Sequence, residues 1–233
     1  MSKLLFILLL VLSLDAKEIY ATFNVVAQKS ANLAFDAGGI VKSVHKDIAQ
    51  SVTSGELLAS LDNRDKKAVL ESAKTALKFA KRAYERQLKV KTLINEALFD
   101  SYALKYESAK NQLALQQAMY DKTLLYAPFD GVIFYKNIEV GDTVSGVQLK
   151  TVYKIQSLHA RKLLVDFDQK YYKDVQVGDS FEYKIDGDTK RYRGKISKIY
   201  PVANTNNRKM RAEVPTEDFM VGLFGNGTIS TQK

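Results

Sequence analysis

The sequence predicts an α+β protein with several domains: a β-sandwich split by a long antiparallel helical hairpin, followed by a small β-barrel. Three observations lead to this prediction. All 12 glycines and 3 prolines lie outside positions 56–127, so that stretch lacks the residues that end helices. The segments on either side of it repeat one another, and the last third of the chain alternates short apolar runs with turn residues.

The composition excludes most enzyme chemistry. The 233-residue chain has no cysteine and only two histidines, His45 and His159. It therefore has no disulfide framework, thiolate zinc site, iron–sulfur cluster or cysteine nucleophile. We interpret His45 as a solvent-facing strand residue, and the methionines show no ligand spacing. We predict no catalytic, cofactor-binding or metal-binding residues, and hence no enzyme.

The net charge of +9 is concentrated in two regions. Positions 62–127 hold 13 basic and 8 acidic residues, and positions 159–233 hold 14 and 10. No run of five like charges occurs, so these regions are predicted to be solvated basic surfaces rather than a nucleic-acid interface. The alternating basic and aromatic residues at 191–198 are interpreted as an edge strand protected by charge.

The first 16 residues have the pattern of an export signal. Lys3 precedes the apolar run Leu4–Leu14, and the small residue Ala16 follows it. This run of eleven residues is too short to span a bilayer, which needs about 20 in a helix. We predict a signal peptide over residues 1–16 of a soluble exported protein, with an uncleaved interfacial anchor as the alternative. Residues 17–30 are expected to form an N-terminal strand segment without partner strands.

Residues 62–124 are predicted to form the hairpin, because apolar residues recur there in two runs with alternating steps of three and four. The two runs are out of phase across Asn95–Leu98, which indicates a turn. Asp62 and Asp65 are expected to cap the first helix. The seam of the first helix is predicted at Val69, Ala73, Ala76, Ala80, Ala83, Gln87, Val90 and Ile94. That of the second helix is predicted at Phe99, Tyr102, Tyr106, Ala109, Leu113, Gln116 and Tyr120.

The flanking segments, residues 31–61 and 125–158, match at an offset of 92 positions. Gly39 then pairs with Gly131, and Val52 with Val144. Each half alone is too small to bury a core, so the two should combine into one small sandwich with the hairpin inserted between them. Residues 159–233 contain short alternating stretches separated by turn signals, which is typical of a β-barrel.

These features together resemble a known family. A GxV…V…GxxV pattern occurs twice, is split by a breaker-free heptad hairpin, and follows a signal peptide; the segment APFDGVI through VGDTV is the most specific part. The chain resembles the periplasmic adaptors, or membrane fusion proteins, of Gram-negative tripartite efflux pumps, of the haemolysin-secretion-adaptor-like type. The first copy departs from the pattern, because Ala49-Gln50 replaces the usual Gly-Asp. The resemblance implies a lipoyl-like sandwich with structural turns at Gly39, Gly55, Gly131 and Gly141.

The resemblance also implies a function and partners. Such an adaptor sits in the periplasm, is held at the inner membrane by its transporter, and connects that transporter to an outer-membrane channel for export of drugs or other toxic small molecules. A transporter of the resistance-nodulation-division type is preferred over an ATP-driven one. The resemblance further implies a ring of about six copies. The membrane-proximal domain of the family is expected to be minimal or absent.

Two sets of contact residues follow from the resemblance. Family members carry an arginine, a leucine four residues on and a serine seven further at the hairpin tip. Arg86, Val90 and Ala97 occupy that spacing, and an alternative register runs through Leu88 and Asn95. The channel contact is therefore predicted at Arg86, Leu88, Val90, Leu93, Ile94, Asn95 and Ala97. The transporter contact is predicted on the barrel at Arg191, Arg193, Arg208 and Arg211.

Two other functions remain open at this point. The split sandwich also resembles a biotin or lipoyl carrier, but a carrier needs a lysine on a tight turn joining its halves, and here about 60 helical residues occupy that place. The basic charge alone suggests a secreted protein that binds nucleic acid or polysaccharide.

Overall fold

The computed structural model describes residues 17–93, 95–148, 150–217 and 219–231; the predicted signal peptide, residues 1–16, lies outside them. The chain divides into two compact units. Residues 30–158 form one unit, and residues 17–29 join those from 159 onward in the other. Within the described ranges no further folded unit accompanies these two, and none of their helices is long and apolar enough to span a membrane.

The elements follow one another in this order: β1 Glu18–Ala27, β2 Ser30–Leu33, β3 Gly39–Val44, β4 Ser51–Val52, β5 Leu57–Leu61, α1 Arg64–Leu88, α2 Glu96–Asp121, β6 Leu124–Tyr126, β7 Gly131–Lys136, β8 Thr143–Val144, β9 Tyr153–Ser157, β10 Ala160–Asp168, β11 Ser180–Ile185, β12 Tyr192–Lys195, β13 Lys198–Ile199, β14 Lys209–Glu217 and β15 Phe224–Ser230. Short 3₁₀ turns lie at Lys91–Leu93 and Gln169–Tyr171.

The sandwich consists of two four-stranded sheets with strand orders β2-β9-β7-β4 and β6-β5-β3-β8. Each sheet takes two strands from before the hairpin and two from after it. The registers repeat at the predicted offset, since Ser51 pairs with Val132 and Thr143 pairs with Ile40. The shared core includes Val41, its equivalent Ile133, and the fully buried Leu58, Tyr153 and Ile155. The predicted split sandwich is confirmed.

The departure at Ala49-Gln50 leaves the turn geometry intact. Ala49 has φ +68° where its equivalent Gly141 has φ +97°. Their backbone N–H groups donate to equivalent carbonyls, Ala49 to Ile133 and Gly141 to Val41. The Gln50 side-chain oxygen accepts from the N–H of Asp47 at 2.9 Å, which is the role of the Asp142 carboxylate in the other turn.

Two of the four glycines assigned to turns do not lie in turns. Gly55 and Gly141 have positive φ and do occupy turns. Gly39 and Gly131 instead begin strands β3 and β7. A Cβ on Gly131 would collide with the carbonyl oxygen of Gln156, so close strand packing requires glycine there. A Cβ on Gly39 would meet only the Leu61 side chain at ordinary contact distance.

The hairpin helices pack antiparallel, but the seam of α1 differs from the predicted one. In α2 all of the predicted seam residues are half-buried or buried. In α1, Val69 and Ala76 are exposed, and the residues one position later face α2 in their place. The observed seam is Leu70, Ala73, Leu77, Ala80, Tyr84 and Gln87, and the predicted Ala83 beside Tyr84 is also half-buried. The larger side chains Leu70, Leu77 and Tyr84 bury more apolar area than the alternative stripe, which decides the rotation of the helix.

The predicted cap of α1 is confirmed only in part. The N-cap residue is Asn63, whose side chain makes no capping hydrogen bond, but the Asp62 carboxylate before it accepts the N–H of Arg64 at 3.4 Å. Arg64 holds the Asp62 carboxylate through two hydrogen bonds of 2.9 and 2.7 Å. The Asn63 amide donates instead to the Thr123 hydroxyl at 3.0 Å, which ties the two ends of the hairpin together at its base.

The second unit is a curled seven-stranded sheet in the order β12-β11-β15-β1-β10-β14-β13. Its curl brings β12 back to β14, where Gly194 lies against the Val214 side chain. Its core includes Phe23, Leu163, Val165, Phe181 and Ile229. The predicted small β-barrel is confirmed.

The expectation that the N-terminal strand lacks partners is wrong. β1 is the central strand of the seven and pairs with both β10 and β15. Its alternate residues Ile19, Ala21, Phe23 and Val25 are buried, so the strand supplies one side of the barrel core. The strand therefore belongs to the same unit as residues 159–231.

Candidate functional site

The tip of the hairpin lies between the end of α1 and the start of α2. α1 ends at Leu88, and the N–H of Val90 donates to the Gln87 carbonyl at 3.1 Å. The 3₁₀ turn follows, and Asn95 then caps α2 by accepting the N–H of Ala97 at 2.8 Å. Asparagine is among the preferred N-cap residues, because its side chain satisfies an N–H group that the helix leaves unpaired. Asn95, predicted as a contact residue, thus also fixes the start of α2.

An aromatic cluster supports this turn. The Tyr84 ring stacks on that of Tyr106 with centroids 5.3 Å apart, and its other neighbour is Phe99 at 5.6 Å. The Lys91 ammonium lies 4.8 Å from the Phe99 ring centroid. Such ring pairs and cation–π contacts stabilise a site beyond the area they bury. The tip is therefore held on a packed base.

Of the predicted tip residues, the structure places five at this turn with exposed side chains. Leu88 is 48% exposed and Val90 is 38% exposed. Arg86, Asn95 and Ala97 are also exposed. Leu93 lies in the 3₁₀ turn, and Ile94 lies outside the described residues. Leu88 and Val90 do not close the helix pair, so they are available as an apolar ridge beside polar groups.

Sequence reasoning missed one residue of the tip. Leu98, in the first turn of α2, is 48% exposed and adds to the apolar ridge. Its position gives the signal that could have identified it: Leu98 directly precedes the first seam residue, Phe99, and so falls outside the apolar rhythm of α2.

The four predicted barrel arginines occupy different settings. Arg191 directly precedes β12, and Arg193 lies within it. Both bind the Glu182 carboxylate, at 2.9 and 3.2 Å. Arg211 binds Asp166 through two parallel hydrogen bonds of 2.7 and 2.9 Å. Arg208 has φ +56° in the turn before β14. The structure brings Arg191 and Arg193 together on one carboxylate and places Arg211 on another.

These ion pairs shift the titration of their members. The hydrogen bonds from Arg191 and then Arg193 hold the pKa of the Glu182 carboxyl below its ordinary value. The hydrogen bond to Asp166 raises the pKa of the Arg211 guanidinium. The Arg191 and Arg193 side chains remain mostly exposed, so their charge can still reach a partner.

Known proteins share this arrangement. Residues 29–156 match the family model described as the CzcB-like, barrel-sandwich hybrid domain. The cobalt-zinc-cadmium resistance protein CzcB of Cupriavidus metallidurans is 24% identical over 218 residues, which are 84% of this chain and 41% of that protein. The chain therefore spans less than half the length of this relative.

Solved structures show the same fold. A chimera of MacA and MexA, which carries the α-hairpin domain of Pseudomonas aeruginosa MexA, superposes with a TM-score of 0.83 at 19% identity, covering 93% of this chain and 84% of that one. The membrane fusion protein Spr0693 from Streptococcus pneumoniae superposes with a TM-score of 0.72 at 16% identity, covering 92% and 100%. The predicted resemblance to membrane fusion proteins is confirmed. Because the family model spans more than half of its residues, including the hairpin and both halves of the sandwich, the chain belongs to the CzcB-like family of barrel-sandwich hybrid proteins.

Proposed function

We propose that the chain is a non-enzymatic periplasmic adaptor that couples an inner-membrane efflux transporter to an outer-membrane channel. The observation that carries this proposal is the hairpin, which interrupts the sandwich between Leu61 and Leu124 and ends in an exposed apolar turn. With 25 and 26 residues, each helix is about 38 Å long at 1.5 Å per residue. A rod of this length carries a contact surface well away from the sandwich.

The tip suits a contact with the end of a channel. Leu88, Val90 and Leu98 supply apolar area, while Arg86 and the Asn95 amide supply hydrogen-bonding groups beside it. An apolar centre with a polar rim is the usual anatomy of a protein interface. We assign the channel contact to these residues together with Leu93, Ile94 and Ala97.

The barrel is proposed to face the transporter. Arg191 and Arg193 are exposed and share one carboxylate, so they leave net positive charge on the surface. Arg208 and Arg211 add to the basic character of β14 and its preceding turn. Exposed charge of one sign steers association with a surface of opposite charge.

The cargo is proposed to be a toxic small molecule or ion. The relative CzcB is named for resistance to cobalt, zinc and cadmium, which supports export of toxic species. We retain a resistance-nodulation-division transporter as the preferred partner and an ATP-driven exporter as the alternative. We also propose a ring of about six copies, because heterologous interfaces close into rings when their rotation permits.

A carrier function is the competing proposal for the sandwich. A carrier would join its halves by a tight turn with a modified lysine. Here β5 is followed by α1, and α2 is followed by β6, so the whole hairpin separates the halves. Intact-mass measurement of the purified protein separates the two functions. An added biotin or lipoyl mass would contradict the adaptor proposal.

The tip assignment is tested by Leu88→Asp in cells that lack the native gene. We expect export of the toxic compound to be lost, while the free energy of unfolding changes by no more than about 1 kcal/mol, as for an exposed site. The matched control is Gln112→Asp, which places the same charge on an exposed position of α2 away from the tip. Full resistance with Leu88→Asp at normal protein level would remove the tip from the channel contact.

A further inference from the structure

The two helices of the hairpin differ in charge. α1 carries eight basic and three acidic side chains. α2 carries four acidic and two basic ones. Glu71 and Glu85 of α1 pair with lysines of the same helix. Among the described residues, Lys78 of α1 has no ion-pair partner, and Glu107 of α2 has only a 3.5 Å contact with Lys110. α1 therefore carries net positive charge, and α2 carries net negative charge.

Each helix also exposes one large apolar side chain near its middle. Phe79 of α1 is 61% exposed and Leu104 of α2 is 69% exposed, more than any other large apolar residue of the two helices. At about 100° per residue, Phe79 lies roughly 130° around α1 from its seam and Leu104 lies roughly opposite the seam of α2. The two side chains therefore point away from each other, on opposite sides of the hairpin.

The charged and apolar residues of the two outer sides lie at matching heights. Tyr84 packs between Phe99 and Tyr106, so it is level with the middle of residues 99–106. Counting 1.5 Å per residue from there, Lys78 and Glu107 lie within about 2 Å of the same height. Phe79 and Leu104 lie within about one helical turn of each other by the same count.

We propose that the outer side of α2 in one copy packs on the outer side of α1 in the next copy, with Leu104 against Phe79 and Glu107 beside Lys78. This inference rests on the self-association proposed above and assigns its interface. When neighbouring hairpins stand parallel, residues at equal height meet, so the apolar pair and the charge pair form together. The contact is heterologous, because different surfaces meet, and it can therefore repeat from copy to copy.

The charges select this pairing over the symmetric ones. An α1–α1 contact would place Lys78 against the basic side of a second α1, and an α2–α2 contact would place Glu107 against another acidic side. Like charges in contact are unfavourable and act against such partners. Opposite charges on the two helices favour the α2–α1 arrangement alone.

Engineered cysteines test the interface directly, because the chain contains none. The variants are Phe79→Cys, Leu104→Cys and the double variant, each purified and exposed to a mild oxidant at high protein concentration. We expect a ladder of disulfide-linked oligomers from the double variant, only dimers from a mixture of the two single variants, and monomers from each single variant alone. A dimer from Phe79→Cys alone, or a double variant that stays monomeric, overturns the proposal.

A charge exchange gives the second test and keeps the proposal distinct from the adaptor function. Lys78→Glu and Glu107→Lys should each reduce the ladder several-fold in the double-cysteine background, and the two together should restore it. Failure of restoration overturns the charge pair. Efflux is measured separately: full efflux in cells that lack the chain would contradict the adaptor proposal, whereas an intact ladder of the purified protein would still support the interface.

Discussion

A single alanine in the first half of the sandwich holds a backbone conformation that favours glycine. Ala49 has φ +68°, and the equivalent position of the second half is Gly141. The left-handed conformation costs a non-glycine residue about 1 kcal/mol, because Cβ approaches the following carbonyl oxygen. The exposed turn around Ala49 is fixed by hydrogen bonds from the Ala49 N–H to the Ile133 carbonyl and from the Asp47 N–H to the Gln50 side chain.

Replacing Ala49 by glycine should therefore stabilise the protein. We expect Ala49→Gly to raise the free energy of unfolding by about 0.5–1 kcal/mol in urea denaturation, since relief of strain outweighs the added freedom of the unfolded chain. The matched change Gly141→Ala should lower it by about 1 kcal/mol, because a Cβ there meets no atom within 4 Å and only the backbone is strained. A destabilised Ala49→Gly protein would contradict this account.

A buried carboxylate makes the barrel sensitive to acid. Glu213 accepts hydrogen bonds from the Lys162 ammonium and the Tyr200 hydroxyl, both at 2.7 Å. Burial alone would raise the pKa of the Glu213 carboxyl, but these two hydrogen bonds outweigh it and hold the pKa below its ordinary value. Because the folded pKa is the lower one, this stabilisation is present above about pH 4.3, the unfolded value, and is lost as pH falls through the folded pKa.

Glu213→Gln should remove that acid dependence. At pH 7 we expect a loss of about 1–3 kcal/mol in the free energy of unfolding, as for a buried charge-assisted hydrogen bond. Between pH 5 and pH 3 the stability of the variant should fall less steeply than that of the native protein. Glu182→Gln, on the exposed surface, serves as the control and should change stability less. Parallel pH profiles of native protein and Glu213→Gln would exclude this role.

At the scale of the elements, the sequence was sufficient for α2 but not for α1. In α2 the predicted stripe carries every aromatic residue of the helix, Phe99, Tyr102, Tyr106 and Tyr120, so the rhythm identifies the seam. In α1 two neighbouring stripes share Ala73, Ala80 and Gln87 and differ by one position elsewhere. A pattern of spacings cannot choose between such stripes, because the choice depends on the volume that the partner helix can accept.

This one-position difference is testable. Replacing the buried Leu70 by alanine should lower the free energy of unfolding by about 2–4 kcal/mol, because the change leaves a cavity at the helix contact. Replacing its neighbour Val69, which is 49% exposed, by alanine should lower the free energy of unfolding by less than about 0.5 kcal/mol. Thermal unfolding of the two purified variants decides between the seams. A larger loss for Val69→Ala would restore the original prediction.

The N-terminal strand shows another limit of sequence reasoning. The alternation of β1 is visible in the sequence, but its partners β10 and β15 lie more than 130 residues away. Short-range patterns identify a strand and cannot assign such distant pairs. The internal repeat was different: its offset predicted which strands are equivalent, and the registers of β4 and β8 follow that offset.

At the tip and on the barrel, the sequence identified candidate contact residues but could not predict their hydrogen-bond partners or their exposure. The motif spacing placed Arg86 and Asn95 at the turn, but the capping role of Asn95 depends on where α2 begins. The exposure of Leu98 depends on the rotation of α2, and the shared carboxylate of Arg191 and Arg193 depends on the pairing of β11 with β12. These facts are tertiary and arise only when the elements pack.

At the scale of the whole molecule, the sandwich requires chain from both sides of the hairpin. Each of its sheets takes two strands from each half, so neither half contains a complete sheet. Cleavage at a protease site inserted between Ile94 and Leu98 should leave the two fragments associated on a sizing column without denaturant. Separation of the fragments under those conditions would contradict the split-domain architecture.

The central claim is that the hairpin tip meets an outer-membrane channel while the side of the hairpin meets another copy of the chain. The most direct measurement places a photo-crosslinking residue at position 88 or at position 104 in cells with active export, and identifies the adducts by mass spectrometry. We predict that position 88 is crosslinked to an outer-membrane channel protein and position 104 to a second copy near Phe79. Adducts of position 88 with other copies of the chain alone, in cells that still export, would contradict the account.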